Sequence, residues 1–351
     1  MNSWRSGYTT GTCAAAAAKA AAIVLCGGDP PLQVDVPLPN GTHVTLSPVF
    51  VRGDTASACA AVRKDAGDDP DVTDGCMVTA SVEWSHESEI AFSAGEGVGT
   101  VTKPGLSIPP GEPAINPVPR AMIREAVRSV TARGVHVTIS IPGGRALAEK
   151  TFNPRLGVQG GLSILGTSGI VRPFSTDALR DALTCALSVA VACGVTSPVF
   201  VPGRIGEKAA KALFRPTPEQ LIEVGNEWGF MLDSVKVIPF QRLLVVGHPG
   251  KLAKLIAGWW DTHSSRSGSA VPAVMDLGRK IPGLVPEHSA TVEGVFQLLG
   301  ESERSRLAHE LASAVRKAVF ERVQGRFPVA VTLVNMQGVL LGEDGDTAAW
   351  R

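Results

Sequence analysis

Aromatic residues are scarce in this chain of 351 residues, with a single tyrosine, and neither charge dominates: 33 lysines and arginines balance 33 aspartates and glutamates. A neutral chain has no whole-molecule field to gather nucleic acid or an anionic membrane, so a polyanionic ligand must find a local patch. The six cysteines, Cys13, Cys26, Cys59, Cys76, Cys185 and Cys193, form no C-x-x-C pair, and the seven histidines form no H-x-x-x-H. The usual spacings for a protein-held metal are therefore missing, and reduced thiols in a cytoplasmic protein are expected. Long hydrophobic runs are missing too. The run over 14–25 is broken by Lys19, is too short to span a bilayer and has no cleavage site after it, so neither a membrane span nor a secretory signal is expected. What is present is an ordinary globular balance, 44% hydrophobic and 19% charged, in a length that suits two domains.

The pattern centres on Gly160-Gly161-Leu162-Ser163-Ile164-Leu165-Gly166-Thr167-Ser168-Gly169. Residues 162–165 read as a buried strand, and Ser175-Thr176-Asp177 reads as the start of a helix reaching about Cys193. Between them lies a turn of small residues where backbone amides can approach an anion or the polar part of a nucleotide-like ligand; a plain β-turn-α connection fits equally well. Downstream, strands at 198–201, 235–238 and 243–246 alternate with helices at 205–214 and 250–260, the signature of a layered α/β domain with parallel strands. Gly247-His248-Pro249-Gly250-Lys251 repeats the strand, turn, helix logic, and His263 follows that helix; each histidine alone is more often structural than catalytic. A flexible loop is expected at 264–269, a long amphipathic helix at 302–324, and a closing strand at 329–334 that could return to either domain.

Upstream, Thr9-Thr10-Gly11-Thr12-Cys13 runs into an alanine-rich helix, and the Thr10 and Thr12 hydroxyls sit where either a cap or an anion contact would be. A hairpin follows, with strands over 32–36 and 42–51. Arg63 and Lys64 then precede Asp65, Asp68, Asp69, Asp71 and Asp74. The spacing fails the calcium loop. It reads as a solvated acidic loop or as a site in which an aspartate serves as general base and the two cations pair substrate carboxylates. Gly95-Glu96-Gly97-Val98-Gly99 matches neither the dinucleotide fingerprint nor a P-loop, although the loop could wrap a ligand with Lys103 as its cation. The proline-rich stretch over 109–119 carries Asn116, and Arg120 opens a stripe with Arg124 and Arg128 that is either solvated or receives an anion.

Taken together, the Thr9-Thr10-Gly11-Thr12-Cys13 start, Lys64-Asp65-Ala66-Gly67-Asp68-Asp69-Pro70-Asp71-Val72-Thr73, the Gly95 to Gly105 loop, Gly111-Glu112-Pro113-Ala114-Ile115-Asn116-Pro117 and the 161–173 turn resemble the CbiD family across nearly the whole chain. Asp74, where many members carry His, and the serine-rich stretch after Ser264 depart from it. The resemblance implies an α/β, CbiD-like fold: an α+β domain over 1–155 and a Rossmann-like domain over 156–351. It implies methylation of C1 of cobalt-precorrin-5B in anaerobic-type cobalamin biosynthesis, with S-adenosylmethionine as donor and cobalt carried only inside the tetrapyrrole substrate. On it, Asp65 and Asp68 are the candidate bases, and Thr10, Thr12, Arg63, Lys64, Asp69, Asp71, Lys103, Asn116, Arg120, His248 and His263 are the candidate macrocycle contacts. From the glycine turn itself, and not from the resemblance, Gly160, Gly161, Gly166, Thr167, Ser168 and Gly169 are the candidate donor contacts. A homo-oligomer and transient handover to neighbouring pathway enzymes are further expectations; a corrinoid carrier and a small-molecule kinase are the rival readings.

Overall fold

The computed structural model describes residues 4–351, which divide into two compact units, the first ending at Asp177 and the second spanning Ala178–Arg351. The division falls later than the expected 155/156 boundary because the intervening segment pairs back into the first unit. Gly7–Tyr8 (β1) pairs with Ile170–Val171 (β11), and Thr100–Val101 (β8) pairs with Val158–Gln159 (β10).

The first unit is built around Thr10–Leu25 (α1), whose alanines are all fully buried. An all-round buried helix normally needs large apolar residues on every face, but here alanine serves because neighbours approach the backbone closely. Those neighbours are helix Pro117–Arg128 (α2) and a five-stranded sheet. The sheet runs in the order Phe50–Gly53 (β4), Ser57–Arg63 (β5), Met77–Trp84 (β6), Val135–Ser140 (β9), Ile90–Ala94 (β7), antiparallel except for the last pair. The expected hairpin forms from Val34–Pro37 (β2) and His43–Leu46 (β3), shorter than the alternation suggested, since residues 50–53 join the main sheet instead. Residues 162–165 do not form a sheet strand; they are extended and make single bridges, Leu162 to Val98 and Ile164 to Ile115.

In the second unit, Leu221–Glu223 (β13), Val199–Val201 (β12), Leu243–Gly247 (β14) and Val329–Val334 (β15) lie parallel in that order, and Leu340–Asp344 (β16) closes the edge antiparallel. The closing strand therefore belongs to the second unit. The strand expected at 235–238 is instead a 3-10 turn, Val235–Val237, continuing the short helix Trp228–Ser234; Val237 is exposed, so only one side of that run is apolar in context. The long helix is Glu301–Arg322. The serine-rich stretch after Ser264 is tied down: Ser267 Oγ donates to the His263 carbonyl at 2.7 Å and accepts from Lys254 Nζ at 2.7 Å. Among the described residues no helix is long and apolar enough to cross a membrane.

Candidate functional site

The N-terminus of α1 is clamped to the glycine turn. Thr9 caps the helix by accepting the Thr12 N–H at 3.2 Å, Thr12 Oγ1 donates to the Gly169 carbonyl at 2.6 Å, and the Gly11 N–H donates to the Leu165 carbonyl at 3.1 Å. Thr10 Oγ1 accepts the Leu165 N–H at 2.9 Å. These bonds use helix-terminal donors within the protein that would otherwise suit an anion. The glycines follow from the same contact. A Cβ on Gly166 would meet Thr9 Oγ1 at 2.4 Å, and one on Gly169 would meet Leu38 Cδ2 at 2.6 Å. Gly161 and Gly144 each lie against the Gly97 carbonyl, where a Cβ would come within 2.2 and 2.4 Å of its oxygen. The Gly95 loop is thus a knot of backbone against backbone.

Beside this clamp lies a cavity of about 120 Å³. Lys64, at the end of β5, places its ammonium there with its side chain only 1% exposed, and Nζ donates to Asp71 Oδ2 at 2.8 Å. Asp71 also accepts the Thr73 N–H at 2.8 Å and the Thr73 hydroxyl at 2.7 Å. Burial pushes the Asp71 carboxyl up, but Lys64 and the Thr73 donors outweigh it and hold the group below its ordinary range. Thr10, Asn153 and Ser163 add polar groups to the wall, and Val72, Leu162 and Val171 add apolar ones. The cavity therefore joins the Lys64 loop to the 162–165 segment.

In the second unit the sheet presents a different arrangement. Order reverses between β12 and β14, which makes their carboxyl ends a topological switch point, the usual ligand crevice of such sheets. The turn after β12 carries Gly203 with φ of 153° at the start of helix Arg204–Leu213, and Gly206 packs so closely that a Cβ would meet the Val246 carbonyl at 2.5 Å. Glu223 ends the neighbouring strand β13, and its Oε1 lies 3.6 Å from where a Gly203 Cβ would stand. It follows Gly203 by about 20 residues, the spacing at which an acidic side chain meets ribose hydroxyls in dinucleotide-binding sheets. After β14, His248 caps helix Pro249–Ile256 by accepting the Gly250 N–H at 3.0 Å, while Nε2 contacts Glu293 at 2.7 Å. Lys251 bonds Asn226 Oδ1, and burial together with the nearby Lys254 lowers its pKa.

Residues 1–173 match the family model described as CbiD, and residues 261–345 match that described as CbiD, C-terminal domain. A curated relative from Syntrophotalea carbinolica, named cobalt-precorrin-5B C(1)-methyltransferase, is 53% identical over 100% of both chains. The chain belongs to the CbiD family. A protein of the same name from Alkaliphilus metalliredigens is 41% identical over 96% of this chain and 91% of its own. The crystal structure of the cobalamin biosynthesis protein CbiD from Archaeoglobus fulgidus is 30% identical, covering 75% of this chain and 83% of that one with a TM-score of 0.40.

The cavity gathers only part of the candidate set of this CbiD chain: Thr10, Lys64 and Asp71 line it. Asp65 and Asp68 do not. Arg5 forks onto Asp65 at 2.5 and 2.8 Å, and the Arg5 N–H donates to Asp68 at 2.6 Å. The Arg5 hydrogen bonds, then the Gly67 N–H, hold Asp65 below its ordinary range, which makes it a poorer proton acceptor. Asp69 accepts the Phe174 N–H at 3.0 Å, and Asp74 accepts the Ala66 N–H at 2.8 Å, closing the loop. Arg63 is exposed. Asn116 precedes α2 as its cap position without a side-chain bond, and Arg120 clamps its own loop through the Ile115 carbonyl at 2.8 Å and Glu112 at 3.2 Å. The Lys103 stem covers Gly157. His263 is exposed and bonds Ser265. Thr167 and Ser168 are exposed, and Gly160 has open space around it. The candidate donor turn thus packs on α1 instead of opening a helix. Gly203, Gly206 and Glu223 escaped the sequence reading because Gly203 and Gly206 stand three apart without the first glycine of the dinucleotide fingerprint; the strand before them and the acid about 20 residues on were the available signal.

Proposed function

We propose that this chain methylates C1 of cobalt-precorrin-5B with S-adenosylmethionine as donor, giving cobalt-precorrin-6A. The observation that carries the reading is full-length identity of 53% to a curated enzyme of that name, joined to a cavity whose buried Lys64 ammonium can meet an acid arm of the macrocycle. The Gly160 to Gly169 turn suits the donor less well, because Thr9, Thr12 and Leu38 pack against Gly166 and Gly169 and the Gly97 carbonyl against Gly161. The β12 edge fits it: Gly203 permits close backbone approach, and Glu223 is placed for the ribose hydroxyls. When bound, S-adenosylmethionine would supply a sulfonium methyl to the nucleophilic C1 in an in-line displacement, with S-adenosylhomocysteine as the leaving group.

The protein's own part is positioning and water exclusion, which can account for ~7–11 kcal/mol of a bimolecular barrier when the geometry is held. Asp71 holds the Lys64 ammonium at the cavity wall, and Val72, Leu162 and Val171 limit water beside it. Asp65 and Asp68 brace Arg5 and are assigned no proton transfer. Formation of S-adenosylhomocysteine in step with macrocycle consumption, under anaerobic conditions, tests the reaction. Glu223→Gln is expected to weaken S-adenosylhomocysteine binding by about 10- to 100-fold, the range for hydrogen bonds to a charged group. Unchanged affinity by calorimetry would remove the β12 edge from the donor site.

A further inference from the structure

We propose that the Lys64 cavity is the receptor for one carboxylate of the reactants, contributed by a peripheral acid arm of the macrocycle; this rests on the methyltransferase reading. The ion pair at its wall is asymmetric. An ammonium has three protons, and Asp71 at 2.8 Å is the partner found for Nζ among the described residues, so donors remain for a ligand. Asp71 is already served by the Thr73 N–H and hydroxyl and by Lys64. The wall therefore offers spare ammonium donors beside a carboxylate that is already served, which favours an anion.

Size narrows the ligand. A cavity of about 120 Å³ is several times the ~10–15 Å³ that one water needs on the same measure, room for an acetate or propionate group. Its composition matches such an arm: Lys64 for the carboxylate, Leu162 and Val171 for the methylenes, with Ser163, which donates to Asn153 Oδ1 at 3.3 Å, in the wall. Folding has already desolvated Lys64, so binding does not have to strip its water, and a charge-assisted bond formed there is strong. The donor's amino-acid end carries a carboxylate as well, so the test separates the two sources.

The probes are cobyrinic acid, a cobalt corrin with free acid arms, its heptamethyl ester, and S-adenosylhomocysteine, each titrated into the full-length protein. Wild type is expected to bind the acid more tightly than the ester. Lys64→Met, which keeps the apolar stem, is expected to lose about 10- to 100-fold affinity for the acid while leaving the ester and S-adenosylhomocysteine unchanged. Ser163→Leu fills the cavity without touching the ion pair and is expected to give the same selective loss, which covers the case in which Lys64→Met does not fold. Unchanged affinity for the acid in the folded variants would overturn the proposal. A loss confined to S-adenosylhomocysteine would overturn the macrocycle as the source. Methyl transfer by wild type is scored separately: turnover without Lys64 dependence sinks the cavity assignment alone, and Lys64-dependent binding without turnover sinks the methyltransferase reading alone.

Discussion

Gly166→Ala is expected to destabilise the first unit by about 3 kcal/mol or more and lower its melting temperature by about 6–12 °C. Gly166 sits at φ of 134°, a conformation that side-chain-bearing residues rarely adopt, and a Cβ there would meet Thr9 Oγ1, Cβ and Cγ2 at 2.4, 2.5 and 2.6 Å. Thr9 cannot yield cheaply. It is buried, β-branched and the cap of α1, and its hydroxyl also contacts Thr12 Oγ1 at 3.1 Å. Pushing it aside would release the end of the helix on which the unit's core is built. Gly160→Ala supplies the comparison, since Gly160 also has a positive φ of 84° but nothing within 4 Å of a Cβ; a cost of about 1 kcal/mol is expected there. Both are read by thermal and urea denaturation. Equal melting of the two variants would show that the turn does not lean on Thr9.

Asp71→Ala is expected to cost about 2–4 kcal/mol, because it leaves the Lys64 ammonium buried without its partner. The figure stays below that for a fully enclosed pair, since the Asp71 side chain is 25% exposed. The same pair predicts a pH dependence with a definite sign. Burial raises the Asp71 pKa, but Lys64 and the Thr73 donors lower it further, so the folded value lies below the unfolded one. The stabilisation is therefore complete above the ordinary aspartate value of about 3.9 and is lost as pH falls from there through the folded value. Asp71→Asn should flatten this acid limb in urea titrations between neutral and strongly acidic pH. An acid limb identical to that of wild type would detach Asp71 from the stability of the loop.

Much of the frame was legible because it rests on strong local signals. The alanine run over 14–22 could be little other than helix, and the strand and helix alternation after residue 198 could be little other than a parallel sheet. The glycines were legible as special positions but not as to purpose. Ligand approach and backbone packing both demand a missing Cβ, and only the positions of Thr9, Leu38 and the Gly97 carbonyl reveal the packing demand at Gly161, Gly166 and Gly169. The acidic loop was ambiguous for a similar reason: pattern alone does not tell which carboxylates meet Arg5 and which meet Lys64. Burial of Lys64 was the least legible feature. A lysine at a strand end ordinarily extends its ammonium into water, and nothing within its own strand signals that Asp71 and Thr73 fold over it.

The most direct test of the account is the fate of the label when the purified protein is incubated anaerobically with cobalt-precorrin-5B and S-adenosylmethionine carrying a carbon-13 methyl group. The account predicts one added methyl, located by carbon NMR on C1 of the macrocycle, together with stoichiometric S-adenosylhomocysteine. Label on another ring carbon, or macrocycle bound and recovered without label, would contradict it.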